Sequence, residues 1–426
     1  MEKQIISNAR TGEQYTYVKH KSGLDILIWK MESYSISHAL FGTKYGSINS
    51  KFKTSEEKDF ITVPEGIAHY LEHKLFENED CDVFSLYAKT GASANAYTSF
   101  DKTAYLFSCT DNFEQSLEIL LDFVQKPYFT KETVEKEQGI IGQEIRMYED
   151  VAGWRVFFNM LRGMYFNHPV RIEIAGTVES IAEIDADLLY RCYNTFYNLN
   201  NMVLSIAGNV DEDRILEICD RLLKPCEDKQ LETAFEDEPS GVCEEYVSQK
   251  LEVAIPMFNL GFKAAPESGK AGIKAEAETN IVLSLLADES SDFYKTLYDE
   301  GLINSSFSAE GFSGDSYSCS IFGGESRNPQ EVKRRIIEEI ERCKREGFSL
   351  ERFNNVKKSY YGSLIRELND VEAVATIMLN RRMQGVSAFE LIETVADVTY
   401  EDVMARLNRQ FDCGATVLSV IEPIAE

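Results

Sequence analysis

Two distant stretches of this chain echo each other, and that echo limits the available folds more than any local pattern. The run from Ile181 through Phe196 to Ile206 reappears as the run from Val395 through Phe411 to Val420, with both ends offset by 214 residues. Each copy reads as a helix followed by an apolar strand. A second echo joins Gly142–Arg146 to Gly362–Arg366 and Asp150-Val151 to Asp370-Val371, at an offset of 220 residues. Two copies of one unit predict an α+β protein of two homologous mixed α/β domains, each a sheet covered by helices, rather than a many-unit repeat array. A length of 426 residues agrees, since one hydrophobic core rarely grows that large. The polar, acidic stretch 226–241 ends in Pro-Ser-Gly and reads as the linker between domains 1–225 and 242–426.

The first half opens with strands at Tyr15–His20, Leu24–Lys30 and Ser35–Phe41. A hairpin is expected at Ala92–Thr98 and Thr103–Cys109, and helices dominate from Asn112 to Leu199. The histidines then separate the halves chemically. There are five, His20, His38, His69, His73 and His168, and none follows residue 168. The second domain therefore has no histidine-based metal site of its own, and at the 220 offset the partner of Glu144 is Leu364. His20 and His38 lie in strand-like sequence and are expected to be structural. His168-Pro169 is expected to mark a turn.

His69-Tyr70-Leu71-Glu72-His73 is the feature that carries chemistry. Residues four apart on a helix lie about 40° apart around it, so both imidazoles share one face. Glu72 shares that face, while Ile67, Leu71 and Leu75 form a stripe that can bury. Pro64 just ahead suits a helix start. Two neutral imidazoles on one turn make a clamp for zinc, and a catalytic zinc needs a third protein ligand and room for water. The best source of that ligand is the acidic run 132–149. There Glu137 and Glu144 are seven residues apart and project from nearly one face, above an apolar stripe of Val134, Ile141 and Ile145. The same spacing serves equally for a solvated acidic helix surface.

These residues, His69 to His73 followed by Glu137 and Glu144, resemble the pitrilysin/insulinase family, whose mark is an inverted H-x-x-E-H zinc motif. The likeness extends to Gly91–Thr98 and Ala175–Ile181 and spans essentially the whole chain. It is similar more narrowly to bacterial processing-protease-like members linked to elongation-factor-P aminopentanol modification, in which a metal-bearing chain pairs with a metal-less homologue. The resemblance implies two domains facing each other as a clamshell, with one Zn2+ per chain. It implies His69, His73 and Glu144 as ligands, Glu72 as general base and Glu137 as the group that orients a histidine ligand. It implies that Asn95 and Ala96 lie on an edge strand that receives an extended peptide. The expected activity is zinc-dependent endopeptidase hydrolysis of oligopeptides or leader-type segments.

One departure stands out. The family completes this site from its second half with an Arg and a Tyr near a Gly-Leu box, and here those positions hold Tyr298 and Asn304. Such groups stabilise a developing oxyanion. Either a homologous partner chain or second copy supplies them, or Tyr294, Tyr317 or Arg327 substitutes. The competing reading is a non-catalytic structural or peptide-binding subunit.

Bulk composition narrows the partners. A net charge of −27 argues against sequence-independent nucleic-acid binding, which needs clustered Lys and Arg. No segment approaches the roughly 20 apolar residues that span a bilayer, and the start lacks an apolar signal region. Nine scattered cysteines without a CxxC pair are expected to be buried packing residues of a cytoplasmic protein.

Overall fold

The structure is a computed structural model that describes residues 3–79 and 82–424. It divides into two compact units, and neither is one continuous run of chain. The first comprises residues 1–145, 173–235 and 365–388, and the second 146–172, 236–364 and 389–426.

The first unit is built on a seven-stranded sheet. In spatial order its strands are Lys3–Ser7, Gln14–Lys19, Asp25–Lys30, Met202–Gly208, Ser37–Thr43, Thr103–Cys109 and Ser93–Thr98. Only the contact of Asp25–Lys30 with Met202–Gly208 is parallel. The two central strands, Ser37–Thr43 and Met202–Gly208, are buried at every position, as expected for strands covered on both faces. Helix Val371–Met383 covers one face: the Ala375 carbonyl accepts from Ser205 Oγ at 2.7 Å, and Arg382 pairs with Asp25 at 2.8 Å. Gly42 has no side chain because a Cβ there would come within 2.9 Å of Met383. The main apolar core of the unit gathers Ile26, Ile28, Phe41, Tyr105 and Phe107 of the sheet with Ile67, Tyr70, Leu71, Leu117, Ile141 and Phe196 of the helices.

The second unit has a five-stranded sheet in the order Tyr246–Leu251, Thr416–Pro423, Met257–Lys263, Tyr317–Glu325 and Ser308–Gly314. Its first pair is parallel and the others antiparallel. This is the pairing pattern of the last five strands of the first unit's sheet, so the duplication seen in sequence is a duplication of topology. Helix Ala152–Met164 packs on this sheet, and Gly163 lets it approach, since a Cβ there would stand 2.9 Å from Val417.

The two units have thus each taken a helix from the other half of the chain. Ala152–Met164 follows Val151 and Val371–Met383 begins at Val371, the residues matched by the 220-residue echo. The expected division into two runs separated by 226–241 does not contain this exchange, because the sheet a helix covers is set by long-range packing.

The expected cysteine pattern is corrected in part. Cys109, Cys192, Cys219, Cys319 and Cys343 are buried, but Cys226 and Cys243 are exposed and Cys413 is intermediate. Cys81 lies outside the described residues. The turn expected at His168 is present: its side chain caps the short helix Pro169–Arg171.

Candidate metal centre

The motif occupies helix Ile67–Leu75 in the first unit. The helix starts at Gly66, whose φ of 86° and crowding against the Ala175 carbonyl exclude a side chain. Ile67, Leu71 and Leu75 bury, as their spacing predicts, and Tyr70 also turns inward. The Tyr70 hydroxyl donates to the Val134 carbonyl, which ties this helix to helix Lys131–Glu149. On that second helix Val134, Ile141 and Ile145 bury and Glu137 comes with them. The solvated reading of the acidic run therefore does not hold for Glu137, and Glu144 is only partly exposed.

Four side chains meet where the helices touch. Nε2 of His69 lies 3.8 Å from Oε1 of Glu144, and Nε2 of His73 lies 3.5 Å from its Oε2. Nδ1 of His73 is 3.0 Å from Oε1 of Glu137. Among the described residues, His69, His73 and Glu144 form the one group of three or more potential ligands able to close on an ion, with ligand atoms all within 4.8 Å. Tetrahedral zinc with bonds of about 2.1 Å needs ligand atoms roughly 3.4 Å apart, so a small inward movement fits the ion. The donor set of two imidazoles and a carboxylate also suits zinc.

The two imidazoles are shifted in opposite directions. Burial, helped by His73, pushes His69 down to about 3, which keeps it in the neutral, ligating form. For His73 burial acts downward, but the Glu137 hydrogen bond and the Glu72 and Glu144 charges raise it above its ordinary value. Burial also works against the Glu137 charge, yet the His73 bond holds its carboxyl below the usual range. Glu72 is shifted up, chiefly by burial.

Asn95 and Ala96 lie on Ser93–Thr98, an edge strand of the seven-stranded sheet and a neighbour of the motif helix. The Ala96 amide donates to Asn95 Oδ1 at 2.9 Å, so the Asn95 side chain satisfies a backbone donor that an added strand could take over. The strand also contributes a side chain that the sequence reading passed over: Thr98 Oγ1 donates to Glu72 Oε2 at 3.1 Å. The alternation of the strand was the available signal, because Ala94, Ala96 and Thr98 share one face.

In the second unit, Tyr298 is exposed and stacks on Tyr294 with centroids 6.0 Å apart, while Asn304 donates to Glu325 at 2.7 Å. Tyr294 and Tyr317 are buried within that unit, and Arg327 is exposed.

Comparison with known proteins also separates the two halves of the chain. Residues 62–178, which hold the whole His/Glu cluster, match the family described as insulinase (peptidase family M16). Residues 183–360 match the description peptidase M16 inactive domain. The chain is 39% identical to the uncharacterized zinc protease YmfH of Bacillus subtilis (strain 168), over 96% of this chain and 97% of that one. It is 31% identical over 42% of its length to 40% of the mitochondrial-processing peptidase subunit beta of Caenorhabditis elegans. Its fold matches the crystal structure of an M16-like peptidase from Alicyclobacillus acidocaldarius with a TM-score of 0.92 and 32% identity, covering 99% of this chain and 98% of the other. The chain belongs to the insulinase, or M16, peptidase family.

Proposed function

We propose that this chain is a zinc-dependent endopeptidase that hydrolyses extended oligopeptides or leader-type segments, working as the metal-bearing subunit of a dimer. The observation that carries the reading is the convergence of His69, His73 and Glu144 beside Glu72. In this reading the first three hold the ion. Zinc supplies Lewis-acid chemistry, polarising a carbonyl and making water more acidic. Glu72 takes the proton from the attacking water and passes it to the leaving amine. Glu137 fixes the ring of His73. The edge strand at Asn95 and Ala96 pairs with the backbone of the peptide, which gives affinity with little dependence on side chains.

Tyr298 and Asn304, standing where the family carries Arg and Tyr, support a division of catalytic groups between this chain and a homologous partner or second copy. The same two residues favour a second reading, a peptide-binding subunit that holds zinc without cleaving. The described cysteines are all free thiols, which supports a reducing cytoplasm. Among the described residues no helix is long and apolar enough to cross a membrane.

Zinc analysis with peptide-library digestion, alone and with candidate homologues, tests the proposal. Stoichiometric zinc with cleavage lost in Glu72→Gln is the expected result. Wild-type turnover in that variant would overturn the assignment of the base, and tight peptide binding without cleavage under every condition would favour the second reading.

A further inference from the structure

We infer that Thr98 is the positioning residue for Glu72, holding one oxygen of its carboxylate so that the other is presented for proton transfer. The inference rests on the reading of Glu72 as general base. Thr98 is the only hydrogen-bond donor to the Glu72 carboxylate among the described residues, at 3.1 Å. A carboxylate held by one bond of this kind keeps one orientation about its terminal torsion, and proton transfer requires that orientation.

The placement of Thr98 follows from the strand. Ala94 and Ala96 face the core and pack against it, and Thr98 is the next residue of that row. The two methyl groups leave space for the motif helix, and Thr98 brings the first hydroxyl of the row to it. Thr98 pairs directly with Thr103 across the hairpin. The turn behind them is closed by Ser99 N–H to the Lys102 carbonyl at 2.8 Å and by Ser99 Oγ to Asp101 at 2.9 Å.

The direction of the Thr98 proton follows too. Thr103 is fully buried, and its Oγ1 donates to the Tyr45 carbonyl at 2.8 Å. It stands 3.3 Å from Thr98 Oγ1. A hydroxyl has one proton, so the shorter bond to Tyr45 uses that of Thr103. The Thr98 proton goes to the Glu72 carboxylate, because a hydrogen bond to a charged acceptor is the stronger choice. The β-branched side chain of threonine adds rotational stiffness that serine lacks.

The test uses the full chain, with its partner where cleavage requires one, and compares Thr98→Val, Thr98→Ser and Glu72→Gln. The valine removes the hydroxyl and keeps the shape. Thr98→Val is expected to keep its zinc and its unfolding temperature. Its kcat falls about 10- to 100-fold while KM stays within about twofold. Thr98→Ser recovers most of the rate. A crystal structure of Thr98→Val shows the Glu72 carboxylate turned or in two orientations. The inference is overturned by a wild-type kcat in Thr98→Val, by equal losses in valine and serine, by a loss confined to KM, or by an unmoved Glu72 carboxylate in the crystal. Full turnover in Glu72→Gln overturns the underlying base assignment instead, and the two failures are told apart by that variant.

Discussion

Oε1 of Glu137 lies 3.0 Å from Nδ1 of His73, and this contact decides which nitrogen of His73 faces Glu144. With Nδ1–H donated to Glu137, the lone pair sits on Nε2, 3.5 Å from the Glu144 carboxylate. Glu137→Gln keeps the size of the side chain and removes its charge. Zinc affinity measured by chelator competition is expected to fall about 10- to 100-fold with the fold intact. Unchanged affinity would remove the orienting role of Glu137.

The zinc site should also stabilise the protein that holds it. Two helices, Ile67–Leu75 and Lys131–Glu149, contribute the three proposed ligands, so an ion bound only by the folded state links them. At free zinc 100 times the dissociation constant, the gain is about 2.7 kcal/mol. Calorimetry of chelated and zinc-restored protein should show a reversible rise in unfolding temperature that Glu144→Gln largely abolishes. An equal rise in that variant would place the ion elsewhere.

A pH effect is expected in the second unit, at His168. Burial is the main cause that pushes this imidazole down to about 4, with Lys263 adding to it and Glu238 opposing. Its Nδ1 accepts from the Val170 amide at 3.1 Å, and Nε2 lies 3.0 Å from Ser316 Oγ, so protonation at Nδ1 displaces a backbone bond. The unfolded chain takes up this proton near pH 6.5, and the folded chain does so only near pH 4. Stability from this group is therefore complete above 6.5 and declines as pH falls towards 4, by at most about 3 kcal/mol. Urea unfolding at a series of pH values should show this slope in the wild type and a shallower one in His168→Asn. Parallel slopes would assign the acid sensitivity to other groups.

Much of the first unit was legible because its signals are local. The His69–His73 spacing, the Ile67/Leu71/Leu75 stripe and the strand alternation each report on neighbours along one element. Spacing placed Glu137 and Glu144 on nearly one helix face, and the family resemblance singled out Glu144 as the third ligand. The helix exchange was less legible. The echo marked Val151 and Val371 as equivalent, but the choice of sheet depends on contacts such as Gly163 against Val417 and Gly42 against Met383. Thr98 was missed for a related reason. Its alternation gives a face, and only the packing of strand against helix shows that Glu72 waits there.

The start of the motif helix offers a test that separates conformation from crowding. Gly66 has φ 86°, and a Cβ there would lie 2.3 Å from the Ala175 carbonyl oxygen. That carbonyl cannot easily retreat: Gly176 beside it also has positive φ, and Ser180 Oγ donates to the Glu65 carbonyl at 3.0 Å. Gly91 has nearly the same backbone angle, φ 78°, but a Cβ there meets nothing within 4 Å. Alanine at either position pays the left-handed backbone penalty of about 1 kcal/mol, and Gly66→Ala adds the steric clash. Gly66→Ala should therefore lose about 2 kcal/mol or more in urea unfolding, against about 1 for Gly91→Ala. It should also weaken zinc binding, because His69 and His73 lie on the first two turns that Gly66 sets. Equal destabilisation by the two variants, with zinc affinity preserved in both, would mean that the Ala175 turn yields and that Gly66 does not fix the orientation of the motif helix.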